Sequence, residues 1–124
     1  MIAPKARGIY VIDVRGIVRH RDTKHCVCVS AGDGKYFLIN TEHRPEYDDY
    51  RIGAADYPFL GGTDRFVACS VAFTIEPASR IRREVGILSR QDTVGLIALV
   101  EKSRKLQWDE KAAIVAELRH AQNQ

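Results

Sequence analysis

The chain has 124 residues, of which 45% are hydrophobic and 28% are charged, a composition typical of one soluble globular domain. Nine glycines, four prolines and three cysteines exclude collagen-like and disulfide-scaffold proteins, and the apolar content excludes disorder along the whole chain. No apolar run approaches the roughly 20 residues that span a bilayer, and residues 1–8 lack the long apolar stretch that is typical of a secretory signal. An odd number of cysteines fits a reducing compartment, so we expect a cytoplasmic protein without a membrane partner.

The net charge of +3 is unevenly distributed along the chain. Residues 1–24 carry +4 and residues 80–90 carry +3, whereas residues 41–66 carry −3. If the fold brings the two basic stretches together, they form a surface that attracts phosphate. The alternative is that they are separate solvated loops.

The first part of the chain predicts three strands. Residues 7–14 (RGIYVIDV) and 25–30 (HCVCVS) are rich in β-branched residues, which favour strands. The basic segment 18–24 between them lacks apolar periodicity and predicts an exposed loop. An Asp-Gly pair then predicts a tight turn, and residues 35–40 (KYFLIN) form the returning strand of a hairpin.

Residues 41–64 are polar, acidic and interrupted by proline and glycine. A loop of this length in a compact domain is usually functional or partly structured. We expect a short strand at 51–53 and an apolar plug at 56–60 (DYPFL) that packs onto the core.

The second part of the chain predicts two further strands and then two helices. Residues 65–76 form the strongest apolar run, with a kink, and residues 80–88 alternate as a strand does. Helical spacing follows from 90 to 104, after a Ser89 cap, and again from 110 to 120. Strands followed by helices predict a mainly β fold, a small barrel or curled sheet with C-terminal helices.

The cysteines offer little chemistry. Cys26 and Cys28 share one face of a strand beside His25, but a zinc site needs about four converging ligands, and Cys69 is the only other thiol. Buried cysteines usually serve as small core side chains. No glycine-rich phosphate loop is present either, so we expect no metal and no cofactor.

Polar side chains gather at one end of the predicted hairpin. Antiparallel pairing of its strands puts residue 25 nearly opposite residue 40, so His25 and residues 41–44 (TEHR) are expected to meet at one sheet edge. Metal-free RNA cleavage needs a base, an acid and cations that stabilise phosphoryl charge, and this mixture supplies all three. The alternative is that polar residues gather there because strand ends are exposed.

An ordered series of phrases resembles the MazF/PemK-like toxins of bacterial toxin–antitoxin systems. RGIYVID resembles the family's Gly-Asp-Ile-Tyr-Val-Val-Asp strand, and HCVCVS stands where the family has Arg-Pro-Ala-Leu-Val-Leu-Ser. KYFLINTE resembles the next strand, which ends in Thr, and DRFVACSVAFTI resembles the strand near the dimer interface. VGILSRQDTVGLIALVEK resembles the closing Gly-x-Leu-Ser/Thr and helix, and DYPF occurs in distant members. The series covers residues 7 to about 104.

The resemblance implies a small SH3-like β-barrel of about five to seven strands followed by two helices. Residues 1–106 would be the barrel with its closing helix, and residues 107–124 a helical extension packed on it. Family members form homodimers, bind single-stranded RNA in a shared groove and cut it without metal, and an antitoxin peptide blocks the groove. These are the partners that we expect.

The family's catalytic Arg opens the second strand before Pro. The matching position is assigned to His25, preceded by Lys24, with no Pro, and Thr41 stands near the catalytic Thr. His25 is then the base or acid, Thr41 positions the phosphate, and Glu42 and His43 are reserve proton carriers. The expected catalytic set is His25, Thr41, Arg21, Lys24, Glu42 and His43, and the expected RNA-binding set is Arg15, Arg19, Arg44, Arg82 and Arg83.

A second hypothesis is a catalytically inactive SH3-like barrel that binds protein or nucleic acid. The loss of the family's Arg favours it, and the acidic 41–64 segment would then be the recognition element. Basic and histidine side chains at the groove position favour the enzyme. Antitoxin binding is compatible with both.

Overall fold

The structure is a computed structural model that describes residues 2–123. It consists of six strands and two α-helices: β1 Gly8–Asp13, β2 Thr23–Ser30, β3 Lys35–Asn40, β4 Tyr50–Ile52, β5 Arg65–Thr74, β6 Ile81–Ile87, α1 Arg90–Lys102 and α2 Trp108–Gln122. Each predicted strand and helix begins and ends within two residues of an observed one. None of the helices within residues 2–123 has the length and apolarity needed to cross a membrane.

All strand pairs are antiparallel, in the order β4-β5-β3-β2-β1-β6. Over the described residues no ladder joins β4 to β6, so the sheet is open. A mainly β fold with two C-terminal helices is therefore confirmed in this coarser form.

The predicted kink in the fifth strand is a register shift. Leu38 of β3 pairs with Ala68, and Tyr36 pairs with Phe73, so β5 carries three extra residues between these two pairs. Extra residues bend a strand and redirect its side chains. The bent stretch contains Ser70 and lies opposite Phe37, between these two pairs.

Both faces of the sheet are buried, because side chains alternate between them. On one face, Val27 and Phe37 join a cluster with Leu96 of α1 and Leu118 of α2. The other face carries a second cluster that contains Cys26, Tyr36, Leu38 and Ile81. Because α2 contributes to the first cluster, it packs in the same core as the strands.

The 41–64 segment is structured. It contains β4 and three single-turn 3₁₀ helices, at 45–47, 54–56 and 58–60. The predicted plug is confirmed at Tyr57 and Leu60, which are both buried, whereas Phe59 is 37% exposed. The Tyr57 hydroxyl donates to Asp92 Oδ2 at 2.6 Å, which ties the plug to α1.

The helix starts differ in how well the sequence predicts them. Ser89 caps α1 as predicted, with its hydroxyl oxygen accepting from the Asp92 backbone N–H at 3.1 Å. The second helix begins at Trp108, two residues before the predicted start.

Candidate functional site

One groove of about 540 Å³ opens on the sheet face that carries Cys26 and Leu38. Leu38 and Ala68 form its floor, and the loop between β1 and β2 forms one wall. The end of β3 and the first 3₁₀ helix form the other wall, and the bent part of β5 closes it with Ser70 and Val71. The groove is therefore built from segments distant in sequence.

The groove is positively charged. Its lining includes four cationic side chains and one carboxylate, which are Arg19, Arg21, Lys24, Arg44 and Glu42. Glu42 accepts a hydrogen bond from Arg44 at 3.1 Å. Three cations remain without a carboxylate in the lining, so the groove is suited to an anion with several phosphates.

Lys24 lies on the groove side of β2 and is half-buried. Its ammonium donates a hydrogen bond to Asn40 Oδ1, which fixes it at the groove surface. Burial lowers the pKa of Lys24 below its usual 10.5, and the charge of Arg21 lowers it further. A lowered pKa makes the ammonium a stronger proton donor.

His25 is not in the groove, and the predicted register is wrong by one residue. Cys26 pairs with Leu38, which puts Lys24 opposite Asn40 where the sequence placed residue 25. A one-residue slip turns each side chain to the other face. His25 therefore lies on the face of Val27, away from the segment that it was expected to meet.

The surroundings of His25 favour its neutral form. Burial lowers the pKa of His25 below its usual 6.5, and the cations of Arg65 and Arg83 lower it further. His25 therefore lies outside the groove lining, and its surroundings disfavour the cation that would bind a phosphate.

The other side chains of the 41–44 segment divide between the groove and its outside. Thr41, Glu42 and Arg44 line the groove. His43 does not: its ring lies 5.4 Å from that of Phe66, and its Nδ1 lies 3.4 Å from Asp49.

A second basic region surrounds Asp13. Its carboxylate accepts hydrogen bonds from Arg15 at 2.7 and 3.0 Å and from Arg82 at 3.1 Å. Arg80 donates to the backbone oxygens of Asp13 and Arg15. The hydrogen bonds with Arg15, together with that from Arg82, hold the pKa of Asp13 well below its usual range. The fold thus brings the two basic stretches together, but around a carboxylate.

Arg83 occupies a different position from Arg82. It is exposed and pairs with Val11, which in turn pairs with His25 across β1 and β2. Arg15, Arg82 and Arg83 therefore lie outside the groove lining, whereas Arg19 and Arg44 lie in it.

The three thiols are buried on strands. Burial raises the pKa of Cys26 and of Cys28 to about 12, so neither is a thiolate at neutral pH. In the part of the chain that the structure describes, no group of three or more His, Cys, Asp or Glu side chains is placed to hold a metal ion.

Comparisons of the chain with protein-family models, with curated proteins and with solved structures find no match. No residue role is therefore transferred from a relative. The chemistry of the groove rests on its own side chains.

Three polar residues of the groove lining were given no site role by sequence reasoning. They are Asn40, Tyr47 and Ser70. Asn40 follows from the register once Lys24 is placed opposite it, and Ser70 follows from the β5 bend. Tyr47 lies in an irregular segment and has no periodic signal that would have placed it.

Proposed function

We propose that the groove binds single-stranded RNA and cleaves it without a metal, as a PemK/MazF-like endoribonuclease. The observation that carries the proposal is the convergence of Arg19, Arg21, Lys24 and Arg44 around apolar side chains in one groove. Cations that follow a phosphate backbone, together with surfaces on which bases pack, are what single-stranded nucleic acid requires.

The groove also contains groups for the cleavage step. Glu42 takes the proton of a 2′-hydroxyl, and the oxygen attacks the adjacent phosphorus. Lys24 gives a proton to the leaving 5′-oxygen as the P–O5′ bond breaks. Arg21 stabilises the extra phosphoryl charge, and the Thr41 hydroxyl positions the phosphate. The products are a 2′,3′-cyclic phosphate and a 5′-hydroxyl end.

The position of Lys24 agrees with the resemblance. Arg-Pro-Ala-Leu-Val-Leu-Ser has seven residues, so aligning its Ser with Ser30 puts Lys24, not His25, at the family's Arg. A cation is thereby retained at that position. From the resemblance to this family we further propose an SH3-like barrel, a homodimer, an antitoxin partner and a cytoplasmic location.

The second candidate function is a non-catalytic RNA-binding module of the same fold. It is favoured by the hydrogen bond from Arg44 to Glu42, because that guanidinium occupies the carboxylate that would have to accept the 2′-hydroxyl proton. It is also favoured by the absence of His25 from the groove. Binding is common to both candidates, and only cleavage distinguishes them.

The experiment incubates purified protein with a long RNA of mixed sequence in excess EDTA and maps the new ends. Discrete cuts with cyclic-phosphate and 5′-hydroxyl ends, lost in Glu42→Gln, are expected of the enzyme. The variant Glu101→Gln is the control, because Glu101 lies on α1 and pairs with Arg119. Intact RNA that nevertheless binds in the groove would overturn the cleavage step and leave the binding module.

A further inference from the structure

Two of the large hydrophobic side chains that the described chain leaves exposed lie in the groove. Tyr47 is 41% exposed and Val71 is 51% exposed, and both line it. A site for free phosphate needs cations and N–H donors but no apolar surface. Exposed apolar side chains beside cations therefore indicate a ligand with both a charged part and an apolar part.

The backbone around Tyr47 is held in place. The Tyr47 N–H donates to the carbonyl of Arg44 at 2.9 Å, and the Asp48 N–H donates to that of Pro45 at 3.1 Å. The Arg44 N–H donates to the Asp49 carboxylate, and the Lys105 ammonium donates to the carbonyl of Glu46. The ring is thus presented from a fixed turn, so little entropy is lost when a ligand packs on it.

Two acids of the 41–64 segment are occupied elsewhere. The Asp49 side chain is fully buried and faces His43 and the Arg44 N–H. Asp64 pairs with Arg51 and accepts from the Ala54 N–H at 3.0 Å. Neither lines the groove, where the segment presents a single carboxylate, Glu42, beside Tyr47.

We infer that Tyr47 is a stacking platform for an unpaired nucleobase whose neighbouring phosphates are bound by Arg21 and Lys24. This inference rests on the proposed function and names what its ligand must offer. A base in a duplex already stacks on its neighbours, whereas an unpaired base has a free face for the ring. The 41–64 segment is then part of the recognition surface for single-stranded RNA.

The test measures fluorescence anisotropy with two labelled RNA octamers, one of mixed sequence and one abasic throughout, both 2′-O-methylated so that they cannot be cleaved. The two have equal charge and differ only in their bases. Stacking contributes about 1–3 kcal/mol per base, so Tyr47→Ala is expected to weaken binding of the mixed octamer about 5- to 150-fold. It leaves the abasic octamer unchanged, and Tyr47→Phe binds as the wild type does. Trp108→Ala is the control, because Trp108 is 82% exposed on α2 and does not line the groove.

The outcomes separate this inference from the proposed function. If Arg21→Ala with Lys24→Ala weakens binding of both octamers while Tyr47→Ala changes neither, the groove binds RNA and the stacking inference is overturned. If the wild type binds neither octamer, the proposed function fails and the inference fails with it. Equal losses on both octamers in a folded Tyr47→Ala variant would also overturn stacking, because the ring would then act on the backbone.

Discussion

The two basic regions differ in how many of their cations are held by a carboxylate. Around Asp13, Arg15 and Arg82 donate to the same carboxylate. In the groove, the one carboxylate of the lining is Glu42, and it accepts a hydrogen bond from Arg44. Arg21 and Lys24 therefore have no carboxylate partner in the lining. The three arginines around Asp13 therefore form a structural ion cluster, whereas three of the four groove cations remain open to an anion.

This difference shows why charge counted along the sequence is a weak guide to binding. The 1–24 stretch supplies arginines to both regions. An arginine already bound to a carboxylate must exchange that partner for phosphate, so its net contribution to affinity is small. Binding is expected where cations converge that no carboxylate holds.

The largest expected effect is a difference in RNA affinity between two double variants, each of which removes two positive charges from one of the regions. Arg21→Ala with Lys24→Ala removes two charged phosphate contacts, each about 1.5–3 kcal/mol, and should weaken binding of the mixed octamer about 100-fold or more. Arg15→Ala with Arg82→Ala removes the same charge and should weaken binding less than about 5-fold, while lowering Tm. Anisotropy and thermal melts check both. Equal losses of affinity would show that the regions do not differ.

A smaller effect is expected from releasing the arginines around Asp13. Asp13→Asn removes the carboxylate that Arg15 and Arg82 share, so RNA affinity should rise several-fold and depend more steeply on salt. Glu101→Gln is the control, because it also frees an arginine, Arg119, but lies on α1 and belongs to neither basic region. Unchanged affinity and salt dependence would contradict the account of this region as neutralised cations.

The same variant tests the acid stability of the Asp13 region. Because the folded pKa of Asp13 is depressed, its stabilisation is complete above the unfolded value near 3.8 and is lost as pH falls through the folded value. Asp13→Asn should therefore lower Tm at pH 7 and reduce the pH dependence of Tm below pH 4. Parallel Tm-versus-pH curves for variant and wild type would argue against this.

The smallest effect is expected from the titration of Lys24. Its pKa lies below the usual 10.5, so Lys24 should lose its charge at a lower pH than an ordinary lysine does. RNA affinity should fall over the same pH range. Lys24→Arg keeps the cation and should hold its affinity to higher pH. Dissociation constants between pH 7 and pH 10 check this, and identical profiles would contradict it.

The sequence predicted the elements well because their signals are local. The Asp-Gly turn, the alternation of residues 80–88 and the Ser89 cap depend on nearby residues, and each has a counterpart in the structure. The sequence also indicated two segments that meet at the groove, the basic segment 18–24 and the 41–44 segment.

The parts that sequence did not predict depend on register and on long-range packing. The hairpin register was one residue wrong, which exchanged Lys24 and His25 between the faces of β2. Bulges at the end of β2 and within β5 shift the pairing of the strands. Strict alternation of side chains along a strand does not predict such bulges. The pairing of Arg82 with Asp13, 69 residues apart, has no local signal at all.

The most direct measurement compares Lys24→Ala with His25→Ala, two neighbouring residues on opposite faces of one strand. Their dissociation constants for the mixed octamer are measured at pH 7, with melts to confirm folding. If RNA binds in the groove, Lys24→Ala should weaken binding about 10-fold or more and His25→Ala less than about 2-fold. A larger loss for His25→Ala than for Lys24→Ala would contradict binding in the groove and place the RNA on the other face of the sheet.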